Sequence, residues 1–219
     1  HERLTLCEVA DELGAQTGLI AAEQTTADFV RAAGGDPGDF EFWRSDADAA
    51  YLEVHEFNAD DLAPQVAAPH SPANSAAVSE TAGQPIDQAY IGACTGAKLE
   101  DLHMAARVLD GNKVAAGVRL LVAPASTRTT AQAAADGTLA ILTAAGAILM
   151  PSGCGACAGY GAGVLADGEV CIASTARNFK GRMGSTASAV YPASPYTVAA
   201  AAVAARRADP PPFLTAPAS

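Results

Sequence analysis

From residue 89 onward the chain alternates short apolar runs with longer segments of helical spacing, and this rhythm restricts the fold more than any other feature. Ala89-Tyr90-Ile91-Gly92 reads as a buried strand entering a turn at Ala93-Cys94-Thr95-Gly96. A helix is expected from about Leu99 to Leu109, a strand over Val118–Ala123, and a mostly helical segment from Thr129 to Gly146. A strand at Ala147–Met150, a glycine-rich loop, a strand at Val170–Ala173 and an alanine-rich helix near 196–207 complete the series. Such alternation predicts an α/β fold on a mostly parallel sheet with helices on both faces. Ligands of such sheets bind beyond the carboxyl ends of the strands. Cys94 and the loop holding Cys154 and Cys157 both follow predicted strand ends, which places them on one rim.

The first part of the chain has a different character. Residues 4–14 have helical spacing, with Gly14 as the stop, and Thr17–Ile20 is a candidate short strand. Thr25 and Thr26 offer N-caps for a helix closed by Gly34-Gly35. Tyr51–Phe57 alternates apolar and polar residues, as a half-exposed strand would. Residues 61–88 carry four prolines and read as an extended connection, so a domain boundary is expected near residue 80. The chain opens at His1 in mid-pattern and reads as a piece of something longer.

Composition narrows the function classes. Half the residues are apolar but only 5% are aromatic, so alanine and valine supply most of the core. A net charge of −11 argues against nucleic acid or an anionic membrane as a partner, since both demand a basic face. No apolar run approaches the roughly 18 residues of a membrane span, and no signal peptide is visible, so the expected location is cytoplasmic. Five cysteines without small-scaffold spacing favour reduced thiols, metal ligation or catalysis over a disulfide framework.

The sharpest local feature is Pro151-Ser152-Gly153-Cys154-Gly155-Ala156-Cys157-Ala158-Gly159. Two thiolates three positions apart can grip one metal centre, and small neighbours let backbone amides approach it. Two free buried thiols would give the same spacing; a redox dithiol would open a helix, and zinc would need a second ligand pair. Adding Cys94 gives three thiolates on one rim, one short of saturating a [4Fe–4S] cluster. The remaining iron would be open to act as a Lewis acid on a hydroxyl or carboxylate. Cys171 sits in an apolar strand and, like Cys7, reads as a small apolar residue. Arg177 and Arg182, five positions apart around Gly181, can clamp a dicarboxylate through forked hydrogen bonds, although a solvated basic turn has the same composition.

These segments resemble the aconitase superfamily. Ile91-Gly92-Ala93-Cys94-Thr95-Gly96 with Leu99-Glu100-Asp101-Leu102 is similar to its first cysteine motif, and Gly153-Cys154-Gly155-Ala156-Cys157 to its second. Asp167–Thr175 leading into Arg177-Asn178-Phe179-Lys180-Gly181-Arg182 resembles the third. Val66–Asn74 and Gly14–Gly18 also look like that family, in particular like large subunits of isopropylmalate dehydratase and homoaconitase type. The resemblance implies an aconitase-type iron–sulfur domain at 81–219, and at 1–80 the remainder of a neighbouring α/β domain plus a linker. It implies a [4Fe–4S] cofactor on Cys94, Cys154 and Cys157, substrate carboxylates on Arg177 and Arg182, and Glu12 as an acidic catalytic residue. The implied reaction removes and re-adds water on a small hydroxy di- or tricarboxylate, with 3-isopropylmalate-like substrates leading. A specialised hydroxy-diacid dehydratase and a degenerate cluster-binding module are the rivals. The implied partners are an N-terminal large-subunit region and a small swivelling subunit that brings a serine base. Gly96 and Ala176 stand where the family usually has Asn, and Glu8 where true aconitases have Asn.

Overall fold

The computed structural model describes residues 1–210 and 213. Its first third holds two helices, α1 (Glu2–Glu12) and α2 (Gln24–Ala32), with 3-10 turns at Phe40–Trp43 and Ala59–Asp61. Among the described residues before Val66, Ala27 is the one buried apolar residue. Neither Thr17–Ile20 nor Tyr51–Phe57 forms the expected strand. Leu52, Val54 and Phe57 are exposed, and the alternating segment has no neighbouring edge to take its backbone hydrogen bonds.

A hairpin follows, with β1 (Gln65–Ala67) antiparallel to β2 (Ser75–Ala77), then a single turn α3 (Val78–Thr81). Among the described residues there follow β3 (Gln88–Ile91), α4 (Ala93–Gly96), α5 (Leu99–Leu109), β4 (Arg119–Val122), α6 (Thr127–Ala135), α7 (Thr138–Ala145), β5 (Ile148–Leu149), β6 (Val170–Ala173), β7 (Ala189–Pro192) and α8 (Pro195–Ala204). The five strands β3 to β7 form one parallel sheet in the order β5-β4-β3-β6-β7. The α/β class and parallel sheet read from the sequence are therefore present. The expected helix over 129–146 is broken at Asp136-Gly137, where Gly137 takes φ 86°. Strand β7 and the hairpin were not foreseen; both are short and neither has a long apolar run.

Sheet order decides which face each connection covers. The chain leaves the central strand β3 toward β4 and β5, then returns to the other side of β3 as β6 and β7. Helices α5, α7 and α8 cover one face, where Leu102, Leu109, Leu142 and Val198 pack on Ala89, Ile91, Leu120 and Ile172. In α5 the buried Leu102, Ala105, Ala106 and Leu109 repeat at helical spacing. The alanines of α8, Ala199 to Ala202, are fully buried and let that helix lie close to β3. The opposite face is closed by the connection from β5 to β6, with its 3-10 turn at Gly155–Ala158, and by Met183; here Ala156, Cys157 and Leu165 meet Tyr90, Leu121 and Cys171. A return on the opposite face is what right-handed crossovers require once the direction of travel reverses.

Helix starts carry their own signals: Ser126 Oγ accepts from Thr129 N at 3.0 Å and Ser194 Oγ from Thr197 N at 3.2 Å. At the start of α7, Asp136 accepts from Thr138 N at 2.9 Å while its other oxygen meets His103 Nε2 at 2.8 Å. Hydrogen bonding from Thr138, then from His103, lowers the Asp136 carboxyl to about 2. A depressed carboxylate contributes stability that is complete above its ordinary value of 3.8 and is lost as pH falls toward 2. Asp136→Asn should therefore melt below the wild type at pH 5, with the gap in melting temperature closing as scans approach pH 2.

Candidate functional site

The reversal between β3 and β6 leaves the ends of two adjacent strands with their outgoing loops diverging, the place where open α/β sheets form crevices. The loop after β3 carries Cys94 and the loop after β6 carries Arg177 and Arg182. At the first of these, Ala93 takes φ 74°, a left-handed conformation unusual for a residue with a side chain. The two loops are locked by Ser174, whose hydroxyl donates to Gly96 O at 2.7 Å and accepts from Gly92 N at 3.0 Å. The approach is so close that a Cβ on Gly96 would lie 1.9 Å from Ser174 O. No side chain fits at position 96, so the absence of an asparagine there is built into this backbone.

The cysteine pair Cys154 and Cys157 lies on the β5–β6 connection. Gly153, Gly155 and Gly159 all take positive φ, which winds the loop tightly around Cys154 and Cys157. Its backbone is pinned at both cysteines: Tyr90 Oη donates to Cys154 O at 3.0 Å, and Arg182 Nε donates to Cys157 O at 2.7 Å. Cys94 and Cys154 are exposed and Cys157 is buried, and all three thiols are free. A cavity of about 320 Å³ opens beside Cys154, walled by Tyr90, Met150 and Tyr160. A larger cleft of about 760 Å³ lies between α1 and the loops after β3 and β6, but none of the six expected site residues lines it.

Electrostatics ties these groups together. Burial pushes the Cys157 thiol up, a hydrogen bond and the charge of Arg182 oppose this, and Cys154 and Cys94 add to the rise. Helix α1 brings acid to the same place. Glu12, with 6% of its side chain exposed, pairs with Arg177 Nε, and Glu8 Oε1 stands 3.6 Å from Arg177 Nη2. Burial alone would lower the Arg177 guanidinium, but the charge and hydrogen bond of Glu12, then Glu8, hold it above its usual value; Cys157 contributes as well. Burial also raises the Glu8 carboxyl; Arg177 offsets this, while Glu12 raises it further. The fold thus pairs Arg177 with Glu12 and Arg182 with the Cys157 carbonyl, while Cys94 and Cys154 lie near enough to Cys157 to act on it through charge.

The chemistry of this donor set fits an iron–sulfur cluster. Among the described residues no three His, Cys, Asp or Glu side chains close on a single metal ion. Cysteine thiols are the side chains that hold iron–sulfur clusters, and Cys94, Cys154 and Cys157 are free to serve. Cys171 is fully buried in β6, its thiol pushed up to about 12 by burial, and serves as an apolar core residue as expected. His103 and His55 pair with surface carboxylates, outside this group.

Sequence reasoning missed three supports. Tyr90 holds the Cys154 loop and Ser174 locks two loops. Asn178, wholly buried, donates to Ala68 O at 2.9 Å and Val190 O at 3.3 Å, joining the hairpin and β7 to the arginine loop. A polar residue beside the arginines was the available signal for Asn178; the partners of all three are remote in sequence.

The aconitase family (aconitate hydratase) matches residues 1–205, and the chain belongs to that family. It is 44% identical over 214 residues to the 3-isopropylmalate dehydratase large subunit 2 of Archaeoglobus fulgidus, covering 98% of this chain and 51% of the relative. It is 45% identical over 208 residues to the probable methanogen homoaconitase large subunit of Methanosarcina mazei, covering 95% and 52%. A third relative, the 3-isopropylmalate dehydratase large subunit of Sulfurihydrogenibium sp., is 44% identical over 208 residues, covering 95% and 48%. The chain spans about half the length of these curated relatives.

Because the atom facing a new Cβ at position 96 is a backbone carbonyl, it cannot rotate away. Gly96→Ala should cost about 2–3 kcal/mol in chemical denaturation, at the upper end for overpacking. It should also change the alkylation rate of Cys94 more than that of Cys154, since only the Cys94 loop is displaced.

Proposed function

We propose that this chain carries the cluster-binding and carboxylate-binding half of a [4Fe–4S]-dependent hydro-lyase acting on a small hydroxy di- or tricarboxylate, 3-isopropylmalate-like in class. The observation that carries the reading is the cysteine loop itself: Arg182 Nε donates to the Cys157 carbonyl at 2.7 Å, Tyr90 Oη donates to the Cys154 carbonyl at 3.0 Å, and Cys94, Cys154 and Cys157 are all free thiols. Cys94, Cys154 and Cys157 would hold the cluster, which when bound supplies one iron without a protein ligand as a Lewis acid for the substrate hydroxyl.

The chain's own residues do the rest. Arg177 and Arg182 bind and orient the substrate carboxylates through forked hydrogen bonds, which a lysine ammonium cannot reproduce. Arg177 pairs with Glu12, so its charge is compensated by a carboxylate of this chain. Glu12 is the acidic catalytic group, held in place by that pair. Arg182 also fixes the Cys157 carbonyl, which couples substrate binding to the cysteine loop.

Residues 81–219 form the iron–sulfur domain in this reading. Residues 1–80 are the remainder of a neighbouring α/β domain plus a linker, docked through the β1–β2 hairpin. Activity requires the polypeptide that corresponds to the other half of the relatives, and a small subunit that brings the proton-abstracting base. Two features support that requirement. The relatives are about twice as long and are named as large subunits. Leu19, Phe42, Trp43, Leu52 and Phe57 lie exposed on this chain, apolar side chains that a partner polypeptide could cover.

Anaerobic reconstitution with iron and sulfide, read by metal analysis and electron paramagnetic resonance, tests the cluster. A four-iron cluster that loses one iron on mild oxidation is expected, and Cys157→Ala should hold no complete cluster while keeping the fold. Absence of a cluster here and after restoring the other half of the polypeptide would overturn the reading. In the reassembled enzyme Arg177→Lys should retain iron and sulfide but raise KM about tenfold, about 1.4 kcal/mol. An unchanged KM would remove Arg177 from the clamp.

A further inference from the structure

Lys98 lies in the turn between α4 and α5 and has no part in the site as assigned above. Its side chain is only 14% exposed, and its ammonium reaches acceptors on three elements. These are Asp101 Oδ2 on α5 at 2.9 Å, the Thr95 carbonyl in α4, and Thr5 Oγ1 on α1 at 3.2 Å. Three acceptors match the three N–H groups of a lysine. Thr5 Oγ1 in turn donates to Thr95 O at 3.1 Å, so α1 is joined to the residue after Cys94 both directly and through Lys98.

The side chain is not needed to start α5, because the Lys98 backbone N–H already donates to Asp101 Oδ2 at 2.9 Å. Two of the three ammonium contacts instead serve the junction between α1 and α4. Glu8 is one helical turn from Thr5 and Glu12 two turns, so the position of α1 on this junction sets where both carboxylates stand. The groups facing Glu8 are Arg177, Glu12, Lys98 and Asp11.

We propose that Lys98 is a positioning residue which, through Thr5, fixes the placement of α1 and its carboxylates relative to the Cys94 loop. The functional weight of this tether rests on the reading of Cys94 as a ligand and Glu12 as a catalytic group. The tether itself is measurable without either.

Removing Lys98 alone would leave Asp101 buried without its counter-charge and could unfold the region. The informative variants are therefore Thr5→Val, which keeps shape and deletes the hydroxyl, and Lys98→Met with Asp101→Asn, which keeps an oxygen at the start of α5. In the cluster-free chain, hydrogen exchange across residues 2–12 should quicken about fivefold or more, the change that about 1 kcal/mol produces. The alkylation rate of Cys94, followed by mass spectrometry, should shift by a similar factor, with Cys154 staying within about twofold. Lys98→Arg, which keeps a charged donor, should restore most of the protection. Unchanged exchange and unchanged Cys94 reactivity in both variants would overturn the proposal. An equal shift at Cys94 and Cys154 would do so too, because it would mark general loosening. Failure of the wild type to take up iron and sulfide would defeat the functional reading while the exchange result still decides the tether.

Discussion

Two strand ends held side by side govern this molecule. β3 and β6 are hydrogen-bonded neighbours, yet the chain departs from them in opposite directions, and Ser174 fastens the diverging loops by bonding to both Gly92 and Gly96. Neither loop has regular structure long enough to define its own position. Their geometry comes from one buried hydroxyl and from a glycine that admits no side chain. The loops that carry Cys94 and Arg177, 83 positions apart in the numbering, are held side by side by this lock.

The electrostatic design follows from the same placement. The chain is strongly acidic as a whole, yet two arginines gather beside the cysteine loop, and local charge rather than net charge decides what can bind there. Arg177 stands against Glu12 and Glu8, while Arg182 is spent partly on a backbone carbonyl of the cysteine loop. One arginine is thus tied to the helix that carries acid and the other to the loop that carries sulfur. Under the proposed function, a dicarboxylate bridging the two would connect both elements and would give binding energy a route to the positions of the reactive groups.

The first third of the chain has a different status. It buries almost nothing of its own and leaves aromatic and aliphatic side chains in water, while the hairpin and α1 dock on the sheet-bearing part through a few specific contacts. A segment with so little core draws its order from what it touches. α1 is the clearest case: its ion pairs with Arg177 and its contacts with Thr95 and Lys98 are all to residues beyond position 94.

Much of this was legible in the sequence alone. The strand–helix alternation specified a parallel sheet, because only short apolar runs separated by helical patterns bury themselves that way. Cys94, Cys154 and Cys157 stood out because thiols followed predicted strand ends among small residues, and Cys171 stood apart because its neighbours formed an apolar strand. The alternating pattern at 51–57 misled, since alternation describes a strand only where another edge is present to receive it. What tertiary structure alone decided was the pairing of groups. Nothing local connects Tyr90 to Cys154, Arg182 to the Cys157 carbonyl, Asn178 to Ala68, or Lys98 to Thr5. Side-chain hydrogen bonds of this kind depend on which strands become neighbours, and the order β5-β4-β3-β6-β7 is set by packing helices and loops on opposite faces. Residue types and spacing could name the chemistry; only the assembled sheet could bring the partners within bonding distance.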